Sequence, residues 1–169
     1  IADKNNGLVK AQNSFSSQFI FNNAPYADGC YRLDIQFGKV LVAGGGLSHN
    51  FVNNYFRNGV YLFDDEQWTN FNHETQDSIY YDKDWDFVSV AINPNNTNEF
   101  AFSGGIAEGG LKIVKNGTTI TEVYTANNSM LEANGGKISI GDMKYDDDGN
   151  LWIICTDVEP LKVLTSAGD

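Results

Sequence analysis

Basic residues are scarce: 11 Lys and Arg stand against 22 Asp and Glu, a formal net charge of −11. A nucleic-acid backbone demands clustered cations, so no nucleic acid is expected as a partner. The same balance argues against an anionic membrane surface and suits an acidic exterior that keeps a secreted domain dispersed. His49 and His73 are the only histidines, and neither has the His, Cys or acidic spacing of a metal site. Cys30 and Cys155 are too few for a disulfide framework. Each lies near an apolar, strand-like run, which predicts buried free thiols in preference to a bridge. There are 3 prolines. No stretch approaches the roughly 18–20 apolar residues of a membrane-spanning helix. No signal peptide is visible, and the chain opens at Ile1 without Met, which predicts that an N-terminal piece has been removed.

Catalytic signatures are missing too. Neither a G-x-S-x-G elbow nor an H-E-x-x-H pair occurs. Gly44-Gly45-Gly46 and Gly104-Gly105 are followed by no Lys-Ser/Thr, so they do not read as phosphate loops. Asp146-Asp147-Asp148-Gly149 invites a calcium reading, but the alternate position ahead of it is Lys144 and the run leads directly into Leu151-Trp152. A hairpin turn with Gly at positive φ accounts for it without metal. Asn95-Asn96-Thr97, Asn116-Gly117-Thr118 and Asn127-Asn128-Ser129 match the glycosylation sequon and are read as turn residues. No catalytic residue, metal or cofactor is expected.

What the chain does have is 17 glycines, 20 asparagines and a 13% aromatic content, the composition of many short strands joined by tight turns. A short motif of small residue, aliphatic, any residue and apolar recurs as Gly7-Leu8-Val9, Gly59-Val60-Tyr61-Leu62, Gly110-Leu111-Lys112-Ile113 and Pro160-Leu161-Lys162-Val163. Its starts step by 52, 51 and 50 residues, close to a one-blade propeller repeat. Other strands keep the same phase. Alternating runs (Leu33, Ile35, Phe37; Val88, Val90, Ile92; Ile138, Ile140, Met143) precede tight turns. Second apolar strands follow, Val40–Ala43, Phe100–Ser103 and Leu151–Ile154, the first two ending in paired glycines. Aromatic stretches, Gln67–Phe71 and Thr121–Tyr124, close the unit. The expectation is an all-β fold: a β-propeller fragment of about three to four four-stranded antiparallel blades.

One partial propeller domain over residues 1–169 is expected, in units 1–30, 31–80, 86–130 and 137–169, the first and last incomplete. A blade buries its faces only against neighbours, so the chain reads as a slice of a larger propeller. Its open edges invite self-association; two copies sharing one ring is a weaker alternative to a longer parent. Segments 47–57 and 72–86 break the rhythm and carry aromatics. Loop insertions on a propeller rim are common binding sites, which makes Tyr55, Phe56, Tyr80, Tyr81 and Trp85 the candidate binding residues for a protein partner or a glycan. Alternatively these side chains cover a blade edge.

Residues 138–161, with Ile140-Gly141-Asp142-Met143, Asp148-Gly149-Asn150-Leu151-Trp152-Ile153 and Leu161, resemble the two-component-regulator propeller repeat of Bacteroidetes. A resemblance covering most of the chain is to the PorZ-like propellers of type IX secretion. It rests on Gly59-Val60, Trp68-Thr69-Asn70-Phe71, Val88–Pro94, Gly109-Gly110-Leu111, Tyr124, Asn128-Ser129 and Gly149-Asn150-Leu151-Trp152. It implies a non-catalytic binding module of a secretion accessory, in the periplasm or at the outer-membrane cell surface, with cell-envelope proteins or a glycan as partners. PorZ-like proteins carry two propellers and a sorting domain, and support the attachment of exported proteins to an anionic lipopolysaccharide. The acidic balance of this chain does not suit gripping that glycan directly. The alternative reading is the ligand-sensing periplasmic propeller of a hybrid two-component system. An enzyme on a propeller scaffold is the third, with no residue constellation behind it.

Overall fold

The computed structural model describes residues 2–3, 7–13, 15–20, 23–50, 52–75, 84–104, 109–156 and 159–168. They form an all-β, propeller-like fragment with no helix among the described residues, built from four antiparallel sheets. The first sheet holds β1 (Ala2–Asp3), β2 (Gly7–Asn13) and β3 (Ser16–Ile20). The second is a four-stranded meander of β4 (Arg32–Gln36), β5 (Lys39–Ala43), β6 (Val60–Asp64) and β7 (Gln67–Phe71). The third repeats it with β8 (Phe87–Ile92), β9 (Phe100–Gly104), β10 (Leu111–Val114) and β11 (Ile120–Tyr124). The fourth has three strands, β12 (Ile140–Tyr145), β13 (Leu151–Cys155) and β14 (Leu161–Leu164). Among the described residues, no helix is long and apolar enough to cross a membrane.

The last three sheets stack face to face through two cores. Leu41, Ala43, Val60, Leu62 and Phe71 of the second sheet pack against Phe87, Val90, Ile92, Phe100 and Phe102 of the third. Ala91, Ala101, Leu111 and Ile113, on the opposite face of the third sheet, meet Ile140, Met143, Tyr145, Leu151 and Ile153 of the fourth. The third sheet is therefore covered on both sides, and β8, β9 and β10 are buried throughout. This explains the unbroken apolar runs there: a strand with two buried faces has no need of polar alternation. β13, covered on one face, alternates buried and exposed residues along its length.

β8 lies beside both β4 and β12. Polar bonds join these three leading strands. Asp34 accepts the Ile92 N–H at 2.8 Å, Lys144 sits 3.6 Å from the other Asp34 oxygen, and Arg32 pairs with Asp142. Register slips occur at the start of β8, between Phe87 and Ser89, and of β12, between Ile140 and Asp142. The second slip is why Ile140 and Met143, three apart, both reach the core; a bulge turns an odd spacing into a shared face.

The recurring Gly-aliphatic motif has a steric cause. Gly59 and Gly110 adopt φ of +82° and +70°. A Cβ on Gly59 would strike the Phe71 carbonyl oxygen, and one on Gly110 the Tyr124 carbonyl oxygen. Only glycine allows both the left-handed turn and that approach. Cys155 N–H donates to the Pro160 carbonyl at 2.8 Å, as Gly44 N–H does to Gly59 at 3.0 Å, so the fourth sheet keeps the connection with Pro in the glycine's place. Cys155 is buried and in no disulfide, as expected; Cys30 is in no disulfide either, but exposed, a correction to its sequence reading. It lies just ahead of β4, in a connection whose Asn23 and Tyr26 bond Trp68 and Asn70 of β7. Phe37, which ends the alternating run and opens the expected Phe37-Gly38-Lys39 turn, lies in that turn between β4 and β5, at φ +48°.

The Asp146 turn is closed by its own carboxylate. Oδ1 accepts the N–H groups of Asp148 and Asn150, at 3.0 and 2.8 Å. Oδ2 accepts Asn150 Nδ2 at 3.0 Å and Trp152 Nε1 at 2.8 Å. Donors on the charged form, the indole foremost, hold its pKa down at about 2. A lowered folded pKa contributes stability above the unfolded value of 3.8, lost as pH falls towards 2. The Trp152 indole N–H resonance is accordingly expected to stay constant from neutral pH to about 4 and to shift with a midpoint near 2; a midpoint at an ordinary carboxylate value would contradict this geometry. Gly110→Ala is expected to cost about 3 kcal/mol in urea unfolding. Gly38→Ala, with a φ of +85° but open space around it, is expected to cost about 1 kcal/mol.

Candidate functional site

In an antiparallel meander, alternate connections emerge at the same end. The link between β5 and β6 (described at residues 44–50 and 52–59) and the ends of the link between β7 and β8 (described at 72–75 and 84–86) therefore share one rim, and they contain or border the segments 47–57 and 72–86 that break the sequence rhythm. Gly45 brings them together: its N–H donates to the Phe87 carbonyl at 3.0 Å, and a Cβ there would meet the Asp86 and Phe87 backbone. Within the first link, Ser48 N–H bonds the Val52 carbonyl at 2.9 Å, and Leu47 bridges Asn53. Asn54 and Asn58 donate to the carbonyls of Gly46 and Gly44 at 3.0 and 2.9 Å. The insertion is thus a laced loop.

Asp86 is its anchor. The carboxylate accepts the Tyr55 N–H at 2.8 Å and the Phe56 N–H at 3.0 Å, while Asp86 N–H donates to the Phe56 carbonyl at 2.9 Å. Tyr55 and Asp86 both sit at positive φ, +62° and +53°, a costly backbone for a bulky side chain and one that concentrates at functional sites. The reciprocal bonds hold it. As a result the Tyr55 ring stands edge-on to Trp85, centroids 5.6 Å apart, and the Arg57 guanidinium lies 5.6 Å from the Trp85 ring centroid. Tyr55 and Phe56 are exposed and Trp85 is half-buried. Three of the five expected residues are thereby brought into one rim segment; Tyr80 and Tyr81 lie outside the described residues.

Beneath this rim lies a pair that the motif search passed over. Lys112 and Asp84 are both buried and ion-paired. Asp84 also accepts the Gly109 N–H at 3.0 Å, and the Lys112 ammonium is 6.0 Å from the Phe87 ring centroid. Burial pushes the Lys112 pKa down, and the carboxylate beside it opposes that shift. The same position of the motif carries Tyr61 and Lys162, also buried. Lys162 reaches Glu159 at 3.3 Å, and Glu159 N–H approaches a Glu132 oxygen at 3.4 Å, in parallel with Gly109 and Asp84. The sequence signal was a long polar-tipped side chain repeated inside an apolar strand word.

Comparison with solved structures finds PorZ, described as an essential bacterial surface component of the type-IX secretion system of the human oral bacterium Porphyromonas gingivalis. The TM-score is 0.76 at 19% sequence identity, over 91% of this chain. The likeness is one of fold. The chain spans 21% of the PorZ chain. No protein-family model matches the sequence, and no curated protein does.

Removing one partner of a buried ion pair strands the other charge. Asp84→Asn is expected to lower stability by roughly 3–5 kcal/mol. The double variant Asp84→Leu with Lys112→Met should recover most of it in denaturant titrations. A single variant as stable as the parent would show that the pair carries no weight.

Proposed function

We propose that this chain is a non-catalytic propeller module of a cell-envelope accessory to type IX secretion, and that its aromatic rim binds a protein partner. The observation that carries the reading is the fold match to PorZ across nine-tenths of the chain, joined to a rim whose strained backbone presents Tyr55, Phe56 and Trp85 in one place. Tyr and Trp supply large contact area at low entropic cost, and with Arg they dominate interface hot spots. Two acids of this rim are committed to structure: Asp86 to two backbone N–H groups, Asp84 to Lys112 and Gly109. Groups so engaged serve as anchors and make poor proton carriers. The net charge of −11 favours a protein surface over an anionic glycan.

The test is made in the producing cell, with the whole protein. Loss of the gene is expected to release type IX cargo from the cell surface into the medium, and unaltered cargo retention would overturn the secretion role. Tyr55→Ala combined with Trp85→Ala should leave the protein folded and at the envelope while weakening its partner complex about tenfold. Undiminished complex formation would remove the rim from the reading.

A further inference from the structure

Four Asn-Gly pairs occur in the sequence: Asn6-Gly7, Asn58-Gly59, Asn116-Gly117 and Asn134-Gly135. Such a pair carries a reaction of its own. The glycine nitrogen can attack the side-chain carbonyl carbon of the asparagine, and a glycine, having no Cβ, puts little in the way. Both groups must be released from other bonds and brought close to attack geometry. Asn6 lies outside the described residues; the other three pairs differ in their surroundings.

At the first, the Asn58 carboxamide donates to the Gly44 carbonyl at 2.9 Å, and Gly59 is buried against the Phe71 carbonyl. At the second, Asn116 Oδ1 accepts the N–H groups of Thr118 and Thr119, at 3.0 and 2.9 Å, and Nδ2 donates to Thr119 Oγ1 at 2.9 Å. The attacking group there is engaged too, since Gly117 N–H donates to the Asn98 carbonyl at 2.8 Å.

Asn134 opens a tight turn in the connection from β11 to β12, with Gly135 and Gly136 at φ of +60° and +82°. Its N–H donates to the Lys137 carbonyl at 2.9 Å, and its carbonyl accepts the Lys137 N–H at 3.2 Å. Neither bond uses a reacting group. Among the described residues, the Asn134 carboxamide and the Gly135 N–H have no hydrogen-bond partner. Asn134, Gly135 and Gly136 are exposed, and a Cβ on either glycine would meet no atom within 4 Å. Turning the Gly135 nitrogen towards Asn134 Cγ releases the longer turn bond, in a loop with open space around both glycines.

We propose that Asn134 is a site of spontaneous modification, converted through a succinimide to isoaspartate and aspartate, while the fold protects Asn58 and Asn116. The Gly135 nitrogen bonds to Asn134 Cγ, and the side-chain nitrogen leaves as ammonia, taking up a proton in place of the one that Gly135 loses. Water then opens the ring. Opening at the backbone carbonyl leaves the chain running through Cγ as isoaspartate; opening at the side-chain carbonyl leaves aspartate. Either product adds a carboxylate. Isoaspartate also adds a methylene to the backbone, which shifts the bonds to Lys137 out of register just ahead of buried Ile138. The β11–β12 connection stands at the end of the sheets where the β7–β8 link emerges, so the new charge arrives on the side of the aromatic rim. This chemistry is independent of what that rim binds.

The experiment incubates the whole protein in mildly alkaline buffer, native and in urea. Digestion and fragment mass spectrometry then locate each gain of one mass unit and separate isoaspartate from aspartate. In urea the three Asn-Gly pairs are expected to react at similar rates. In the folded protein Asn134 should stay within about tenfold of its unfolded rate, with Asn58 and Asn116 slowed by more than that. Asn134→Gln should remove the signal from its peptide and leave thermal unfolding unchanged, because the side chain is exposed and unbonded. A folded protein in which Asn134 converts no faster than Asn58 or Asn116 would overturn the proposal. A signal in that peptide undiminished by Asn134→Gln would overturn it equally.

Discussion

A β-sheet of four short strands cannot bury its own side chains; it can only lend a face to another sheet. That constraint governs this molecule. The sheet of β8–β11 is covered on both faces by its neighbours, and its strands are apolar from end to end. The sheets beside it are fully covered on one face only: on their outer faces Leu33, Ile35, Trp152, Ile154, Leu161 and Val163 stay in the open, although Val42 and Tyr61 of the second sheet are buried there. Burial at about 25 cal/mol per Å² of apolar surface is thus realised between repeats, with little available inside any one of them. Cooperativity in such a stack is a property of neighbouring pairs, as in other repeat architectures.

Much of this architecture was legible in the sequence, because the steric demand behind it recurs. Gly59 and Gly110 must be glycine for the same reason, the approach of an outer-strand carbonyl, and their spacing marks the period. The segments Gln67–Phe71 and Phe100–Ser103, read as strands from their aromatic and aliphatic content, lie in strands. Less legible was anything that depends on which face a neighbour covers. Leu33, Ile35 and Phe37 look like a core stripe, and two of them are in a strand, but each keeps more than half of its surface exposed. Cys30 has the apolar surroundings of a buried thiol in sequence and an exposed place in the fold. Composition reports that a side chain wants cover; it does not report whether cover arrives.

The candidate site was legible in outline. The departures from the repeat at 47–57 and 72–86 pointed to one rim, and antiparallel connection order brings them there. What holds them was not visible. Asp86 is one acid among 22, and its role depends on two backbone N–H groups thirty residues away in the chain. Asp84, two residues earlier, turns inward to Lys112 instead. Two neighbouring carboxylates thus divide the work: one shapes the rim loop above, the other neutralises a cation below. A charge buried this way is weak evidence of added stability, but it penalises any packing that separates the partners.

The position of Asp84 also bears on how such a fold grows. Its bond to Lys112 and Gly109 ties the third sheet to the linker that enters it, and the Glu159 N–H approaching Glu132 repeats the backbone part of that tie in the fourth. The structural unit of the third sheet is therefore offset from its four strands: it starts in the connection, ahead of the first strand. A duplication with its breakpoint at Phe87 would copy four strands and orphan an ammonium in the core, whereas one with its breakpoint before Asp84 would copy the strands together with their counter-charge.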